Sequence, residues 1–202
     1  MIGKYLIAAC VALGASQALA LPIQWDGNGH YYDFVSGSYS HEEAVAGAAA
    51  SSHLGEQGYL VTITSQEEQT FISEQSASYY WYSPFWLGAS DAANEGDWRW
   101  VTGPEAGLTL NETYSNWYIG APNDAFGTVA DADYALGNWM YLSNGWQDVP
   151  NDPDCGNFDC NFGYIIEYGG LSNVIDTVPL PAGLPLLATA FVGLGIARRR
   201  RS

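Results

Sequence analysis

The hydrophobic and polar positions fall into two textures along the chain. In the first half, Tyr31-Tyr32-Asp33-Phe34-Val35 is aromatic and β-branched and lies between Gly29 and Gly37, which predicts a strand. Ser40 followed by Glu43 has the spacing of a capping box, and the alanine-rich stretch from His41 to Ser52 has high helical propensity, so a first helix follows. Gly55 and Gly58 stop it, and Tyr59-Leu60-Val61-Thr62-Ile63 predicts a second strand. Ser65 and Glu68 repeat the capping spacing and open a second helix that runs to about Ser76, with Phe71 and Ile72 facing inward. This half therefore reads β-α-β-α.

The second half carries short aromatic strands at Phe85 to Ala89, Trp98 to Val101, Trp139 to Tyr141, Gly145 to Val149 and Gly163 to Tyr168, with no helical pattern between them. From Thr102 to Gly137 the chain is rich in Gly, Asn, Asp and Pro and has little periodicity. A loop of that length inside a compact domain is functional or disordered. Tyr114, Trp117 and Ile119 argue for order, because disordered linkers rarely carry such apolar anchors.

The two ends have a different pattern. Lys4, an apolar run from Tyr5 to Leu13, and Ala18-Leu19-Ala20 have the layout of a signal peptide over residues 1–20, so the exported chain is expected to begin near Leu21. A rival reading takes Ile7-Ala8-Ala9-Cys10 as a lipoprotein cleavage box, but the apolar run ahead of Cys10 is short for it. At the other end, Val178-Pro179-Leu180-Pro181-Ala182-Gly183 leads into an apolar run up to Ala197, followed by Arg198 to Arg201. That run, about 18 apolar residues, is just long enough to cross a bilayer. The arginines would stay on the cytoplasmic side. This layout resembles the VPLPA branch of the bacterial PEP-CTERM sorting tails, in which a short Pro-rich motif, one helix and a basic end are cut by a membrane protease. The resemblance implies a bacterial envelope, surface or matrix location. A simple membrane anchor is the alternative. The organisation expected is thus 1–20 signal peptide, 21–170 one domain, and 171–202 linker plus tail.

Composition matters most once these ends are set aside. Five of the six basic residues belong to them, while all 22 acidic residues lie between Asp26 and Asp176, so Arg99 alone faces 22 acids and the middle of the chain carries −21. Such a charge excludes nucleic acid and anionic lipid surfaces as natural partners. Solubility in salty water accounts for part of it, and cations are the other obvious partner. Of three cysteines, Cys10 leaves with the signal, and Cys155 with Cys160 form an even pair in an oxidising compartment, where a small loop-closing disulfide is expected. A metal-binding pair is the alternative, although two thiolates alone make an incomplete site.

Five motifs then appear in order: Leu60-Val61-Thr62-Ile63-Thr64-Ser65-Gln66-Glu67-Glu68; Trp86-Leu87-Gly88; Glu95-Gly96-Asp97-Trp98-Arg99-Trp100; Tyr114-Ser115-Asn116-Trp117 with Ala121-Pro122-Asn123-Asp124; and Gly145-Trp146-Gln147-Asp148. Together they resemble the C-type lectin-like domain, from about Gln24 to Tyr168. The resemblance implies an α+β fold, with two helices flanking small antiparallel sheets and a long loop that often holds calcium. It also implies that Asp91, Glu95, Asp124 and Asp133 match the carboxylates of an auxiliary calcium site. Carboxylates and amide oxygens on loops suit a hard cation that wants six to eight oxygen ligands.

The sugar-contacting site of the family is less complete. Ala121 and Ala132 stand where sugar-binding members carry acids, and Gln147-Asp148 where they carry Asn-Asp. Asn123, Gln147 and Asp148 remain as sugar-binding candidates, and Asp131 is positioned to replace a missing acid through a shifted register. The long-range disulfides of the family cannot form, because the matching positions are Ala48 or a neighbour, Ile166, Tyr134 and Cys155.

Five tryptophans, Trp86, Trp98, Trp100, Trp117 and Trp146, sit inside core-building motifs and are expected to be structural. Tyr80, Trp81 and Tyr82 between elements are either a contact surface or a packed loop. His30, His41 and His53 all precede the second strand, away from the acidic loop, and are expected on the surface or on a helix face. No nucleophile motif, zinc-protease motif or phosphate loop is present, and nothing selects two of the acids as a catalytic pair. These features imply a non-catalytic exported module that binds carbohydrate, as surface or matrix polysaccharide, with calcium ordering its loop. The alternative is a protein-binding or adhesion module on the same fold, with calcium structural or absent.

Overall fold

A capped helix on each side of a strand that is buried on both faces organises the domain. The computed structural model describes residues 21–80, 84–126, 129–139, 145–151 and 162–171. In chain order the elements are β1 (Ile23–Gln24), β2 (Tyr31–Val35), α1 (His41–Ala49), β3 (Ser52–His53), β4 (Glu56–Leu60), α2 (Gln66–Tyr80), β5 (Phe85–Ser90) and β6 (Arg99–Trp100). A 3-10 turn at Leu110–Glu112 is followed by β7 (Ala125–Phe126), β8 (Val129–Ala130), β9 (Tyr134–Trp139), β10 (Gly145–Val149) and β11 (Gly163–Tyr168). The segments read as a signal peptide (1–20) and, from 172 onward, as linker and tail, together with Cys155, Cys160, Trp81 and Tyr82, lie outside the described residues, as do the side chains of 77–80. Among the described residues no helix is long and apolar enough to cross a membrane.

The capping box of α1 forms as the sequence predicts: the Ser40 hydroxyl accepts the Glu43 N–H at 3.2 Å, and the Glu43 carboxylate accepts the Ser40 N–H at 2.9 Å. The helix buries His41, Ala44 and Ala48, spaced three and four apart along one face. It is shorter than predicted. The chain leaves at Ala49 because Ser52–His53 pairs with Glu56–Gln57 in a tight hairpin, whose two linking residues, Leu54 and Gly55, both have positive φ. At α2 the box is half formed. Ser65 accepts the Glu68 N–H, but the Glu68 carboxylate turns instead to Thr64, whose N–H and hydroxyl donate at 2.8 and 3.0 Å.

Strand β11 is the centre of the sheet. Along one edge it pairs antiparallel with β2, and along the other with β5 in parallel and with β4 antiparallel, so both ends of the described chain lie in one ladder. From Tyr164 to Tyr168 every residue is buried, which fits its near-continuous apolar sequence. The sheet continues through β5 to β9 and β10. Strand β9 departs from the sequence reading, which left 134–137 in the long loop and started a strand at Trp139. Gly137 is a poor strand former, but the pairing of β9 on both edges overrides that preference, and Asn138, with φ +59, falls where the pairing with β10 is irregular. The glycine is required, because a Cβ at Gly137 would overlap the Phe85 ring.

Trp86, Trp100 and Trp146 are fully buried, and Trp98 nearly so, as their motifs predict. Each large aromatic removes on the order of 200 Å² from water, worth about 5 kcal/mol of transfer free energy before entropy is counted. Three of their N–H groups find acceptors: Trp86 donates to the Tyr39 carbonyl, Trp100 to the Thr113 hydroxyl and Trp146 to the Gln69 side chain, at 2.7, 2.9 and 2.7 Å. Trp117 packs edge-on between Trp98 and Trp146 and pins the long loop to the core. Ala48 and Ile166, at positions where a family disulfide would lie, share one apolar cluster, so close packing joins α1 to β11.

His41, expected on the surface or on a helix face, lies on the buried face of α1. Burial lowers its pKa to about 4, its Nε2 lies 3.1 Å from the Leu87 carbonyl, and its ring packs on Trp86 and Tyr134. It is a neutral core residue.

Candidate functional site

The site grows from the end of β5. Asp91 follows directly on that strand, and its N–H donates to the Asp133 carbonyl at 3.2 Å, which brings the residue just ahead of β9 alongside. The chain then turns through Asn94 and Gly96. Gly96 has φ +78, a conformation that suits glycine, and its N–H donates to Asp91 Oδ2 at 2.9 Å. This turn carries Glu95 back over Asp91. Asp91, Glu95 and Asp133 thereby place one carboxylate oxygen each within 4.8 Å of one another.

The three differ in exposure. Asp91 is only 3% exposed, Asp133 is intermediate and Glu95 is exposed. Asp91 Oδ1 is buried and has no hydrogen-bond partner. A buried oxygen of that kind is costly unless something compensates it. Burial raises the Asp91 pKa, with the Asp148 and Asp124 charges adding to the rise. The Asp91 charge is the main cause of the rise at Glu95, and burial followed by Asp131, Asp91 and Asp124 raises Asp133. In all three shifts the charge of neighbouring carboxylates adds to the effect of burial.

Asp124, the fourth carboxylate expected here, stands outside the 4.8 Å group but close enough to act on all three members electrostatically. Its Oδ1 accepts the N–H groups of Asp131 and Ala132, both at 2.9 Å, and closes the arm that carries β7 and β8. Asp124 and Asp131 both have positive φ, unusual for residues other than glycine and typical of functional loops.

Of the sugar-binding candidates, Asn123 and Asp131 are exposed, whereas Gln147 and Asp148 are buried in β10. Asn123 donates one amide hydrogen to the Gly120 carbonyl. Gln147 donates to Asp148 Oδ1 at 2.8 Å, and Asp148 Oδ2 accepts the N–H groups of Asn123 and Asp124. A hollow of about 110 Å³ joins the two sets, lined by Asp91, Glu95, Trp98, Asn123, Asp124 and Asp148 among others. Trp98 was read from the sequence as core alone; nothing in the local pattern marks that it also walls this hollow.

The donor set suits calcium. It consists of oxygens only, from three converging carboxylates, one of them a buried oxygen with no other partner. Those residues would hold the ion, and its charge would compensate their mutual repulsion.

A model of the lectin C-type domain family matches residues 42–156. Over 152 residues the chain is 41% identical to halomucin of Haloquadratum walsbyi, an alignment that covers 72% of this chain and 2% of halomucin. Over 104 residues it is 34% identical to a perlucin-like protein of Mytilus galloprovincialis, covering 51% of this chain and 60% of that protein. The chain thus spans less than two thirds of either relative. Among solved structures, the C-type carbohydrate-recognition domain of cow CD23, crystallised in the presence of an oligosaccharide, superposes with a TM-score of 0.50 at 26% identity, over 68% of this chain and 86% of that one. The C-type lectin CEL-I of Cucumaria echinata superposes with a TM-score of 0.56 over 74% of this chain and 97% of its own, and at 22% identity it speaks for the fold alone.

Proposed function

Because the chain belongs to the C-type lectin domain family, we propose that it is an exported, non-catalytic module that binds carbohydrate, as surface or matrix polysaccharide, beside a calcium-ordered loop. The observation that carries this reading is the convergence of the Asp91, Glu95 and Asp133 carboxylates together with a buried Asp91 oxygen that has no partner, beside the loop hollow that Asp91 and Glu95 line. Calcium supplies positive charge and oxygen coordination there. Asp91, Glu95 and Asp133 hold it, and Asp124 lies beside them with one oxygen committed to the loop backbone.

The rim above provides the polar groups that sugar hydroxyls need. Asn123 retains an amide oxygen and one free N–H direction, and Asp131 offers an exposed carboxylate. Gln147 and Asp148 lie beneath and set the height of that rim. Carbohydrate as the ligand class is further supported by the oligosaccharide-bearing CD23 domain. The signal peptide and VPLPA-type tail read from the sequence direct the module to the bacterial envelope, surface or matrix. The burial of Gln147 and Asp148, together with alanine at 121 and 132, favours a second reading, a protein-binding module with a purely structural ion.

A glycan array probed in calcium and again in chelator separates the two. The expected result is a calcium-dependent sugar signal that Asp91→Asn reduces at least about tenfold, the loss of one charged ligand. Absence of sugar signal in both conditions would overturn the carbohydrate reading and leave the protein-binding one.

A further inference from the structure

The two halves of the loop hollow are finished differently. Asp91 keeps a buried oxygen without a partner, whereas Asp148, with no exposed surface at all, has both oxygens engaged. Its Oδ2 accepts two consecutive backbone N–H groups, from Asn123 at 2.7 Å and Asp124 at 2.6 Å, and its Oδ1 accepts the Gln147 amide at 2.8 Å. Successive N–H groups converging on one point make an anion cradle. Here the chain's own side chain fills the cradle, with short, charge-assisted bonds.

Resting on the calcium-ordered loop described above, we infer that Asp148 is an internal anchor for the 121–124 turn and not a cation ligand, so that the chain takes one calcium ion, at Asp91, Glu95 and Asp133. Three of the four lone-pair positions of the Asp148 carboxylate are already taken, and the fourth, on Oδ1, belongs to a side chain with no exposed surface. Its surroundings could not complete a second site. Calcium needs six to eight oxygens, yet positions 121 and 132, where further acids would stand, are alanine.

The anchor also reaches the first site through the backbone. Asp148 fixes Asn123 and Asp124, Asp124 in turn fixes the N–H groups of Asp131 and Ala132, and the next residue is Asp133, whose carbonyl accepts from Asp91. Two carboxylates in series thus set the position of the third. Asp148 is a positioning residue for a cation it does not touch, and the rim at Asn123 stays in place when that cation is absent.

The test is calorimetric titration of the chelator-stripped full chain with calcium chloride, together with thermal melts of wild type and Asp148→Asn in chelator. Asparagine keeps the shape and one acceptor but drops the charge. The expected wild-type stoichiometry is one ion per chain. The variant should still bind one ion, about tenfold more weakly, and melt about 5 °C or more below wild type in chelator. Two ions per wild-type chain would overturn the inference, as would a variant whose melt in chelator is unchanged. Zero ions per chain would overturn both the calcium reading and the single-ion claim, and the chelator melt would then decide the anchor alone. Should Asp148→Asn not fold, Gln147→Leu, which removes one donor and leaves the carboxylate, is read by the same two measurements.

Discussion

Two groups of acids in this domain meet the same difficulty and resolve it in opposite ways. At the loop, Asp91, Glu95 and Asp133 converge with few donors among them, and one buried oxygen is left without a partner. Around β2, β11 and the start of α2, Glu68 and Glu167 are both almost fully buried, yet donors surround them. Glu167 accepts from His30 Nδ1 at 2.6 Å and from the Thr62 N–H at 3.1 Å, while Glu68 accepts from the Tyr32 hydroxyl at 2.6 Å and from Thr64. The difference teaches that the local supply of N–H and O–H groups, and not the number of carboxylates, decides whether an acidic cluster calls for a cation.

The comparison breaks most sharply at Glu167. Replacing it with alanine leaves the Thr62 N–H and His30 without their acceptor in a buried network, which should cost about 3–5 kcal/mol. Urea unfolding should show that loss equally with calcium and with chelator; a loss that calcium reverses would tie the two groups together.

A second test uses pH. Burial, then the Glu167 charge, raises the Glu68 pKa to about 7, and the hydrogen bond to Glu167 raises that of His30. Both folded values lie above the unfolded ones, so the stability they contribute is complete below the unfolded pKa and is lost as pH rises through the folded one. For Glu68 that window runs from about 4.5 to about 7. Thermal melts in chelator should therefore show stability falling across it, by on the order of 3 kcal/mol from this group. Asp91, Glu95 and Asp133 add a slope of the same sign, since their values are raised too. Saturating calcium should remove their share and leave that of Glu68, which Glu68→Gln should abolish. A slope that Glu68→Gln leaves unchanged in saturating calcium would contradict the assignment.

The smallest effect belongs to Asp97. It pairs with Arg99 at 2.8 Å, but both side chains are partly open to water, so Asp97→Asn should change stability by less than about 0.5 kcal/mol. Denaturant midpoints would check it, and a larger loss would mean that an exposed acid can matter here without burial or crowding.

Much of the fold was legible. Ser40 and Glu43 announced α1 because a capping box is a local signal, and the tryptophan motifs announced the core because large aromatics in short strands are seldom left in water. Strand β9 was not legible, because it owes its pairing to β5, more than forty residues away, on one side and to β10 on the other, around an irregularity at Asn138. The Glu68–Glu167 network was missed for a related reason: Glu68 looked like a helix cap. The available signal was Glu167 itself, a charge inside the otherwise apolar run of β11.

By itself the sequence determined the family motifs, the acidic character of the domain and which carboxylates fall on the long loop. Only the tertiary structure showed that Asp91 keeps an unpartnered oxygen while Asp148 has both of its oxygens engaged. The reason is physical. A carboxylate's role depends on which donors reach it, and here the decisive donors are backbone N–H groups at positions 123 and 124, brought to Asp148 by folding and never brought to Asp91 Oδ1.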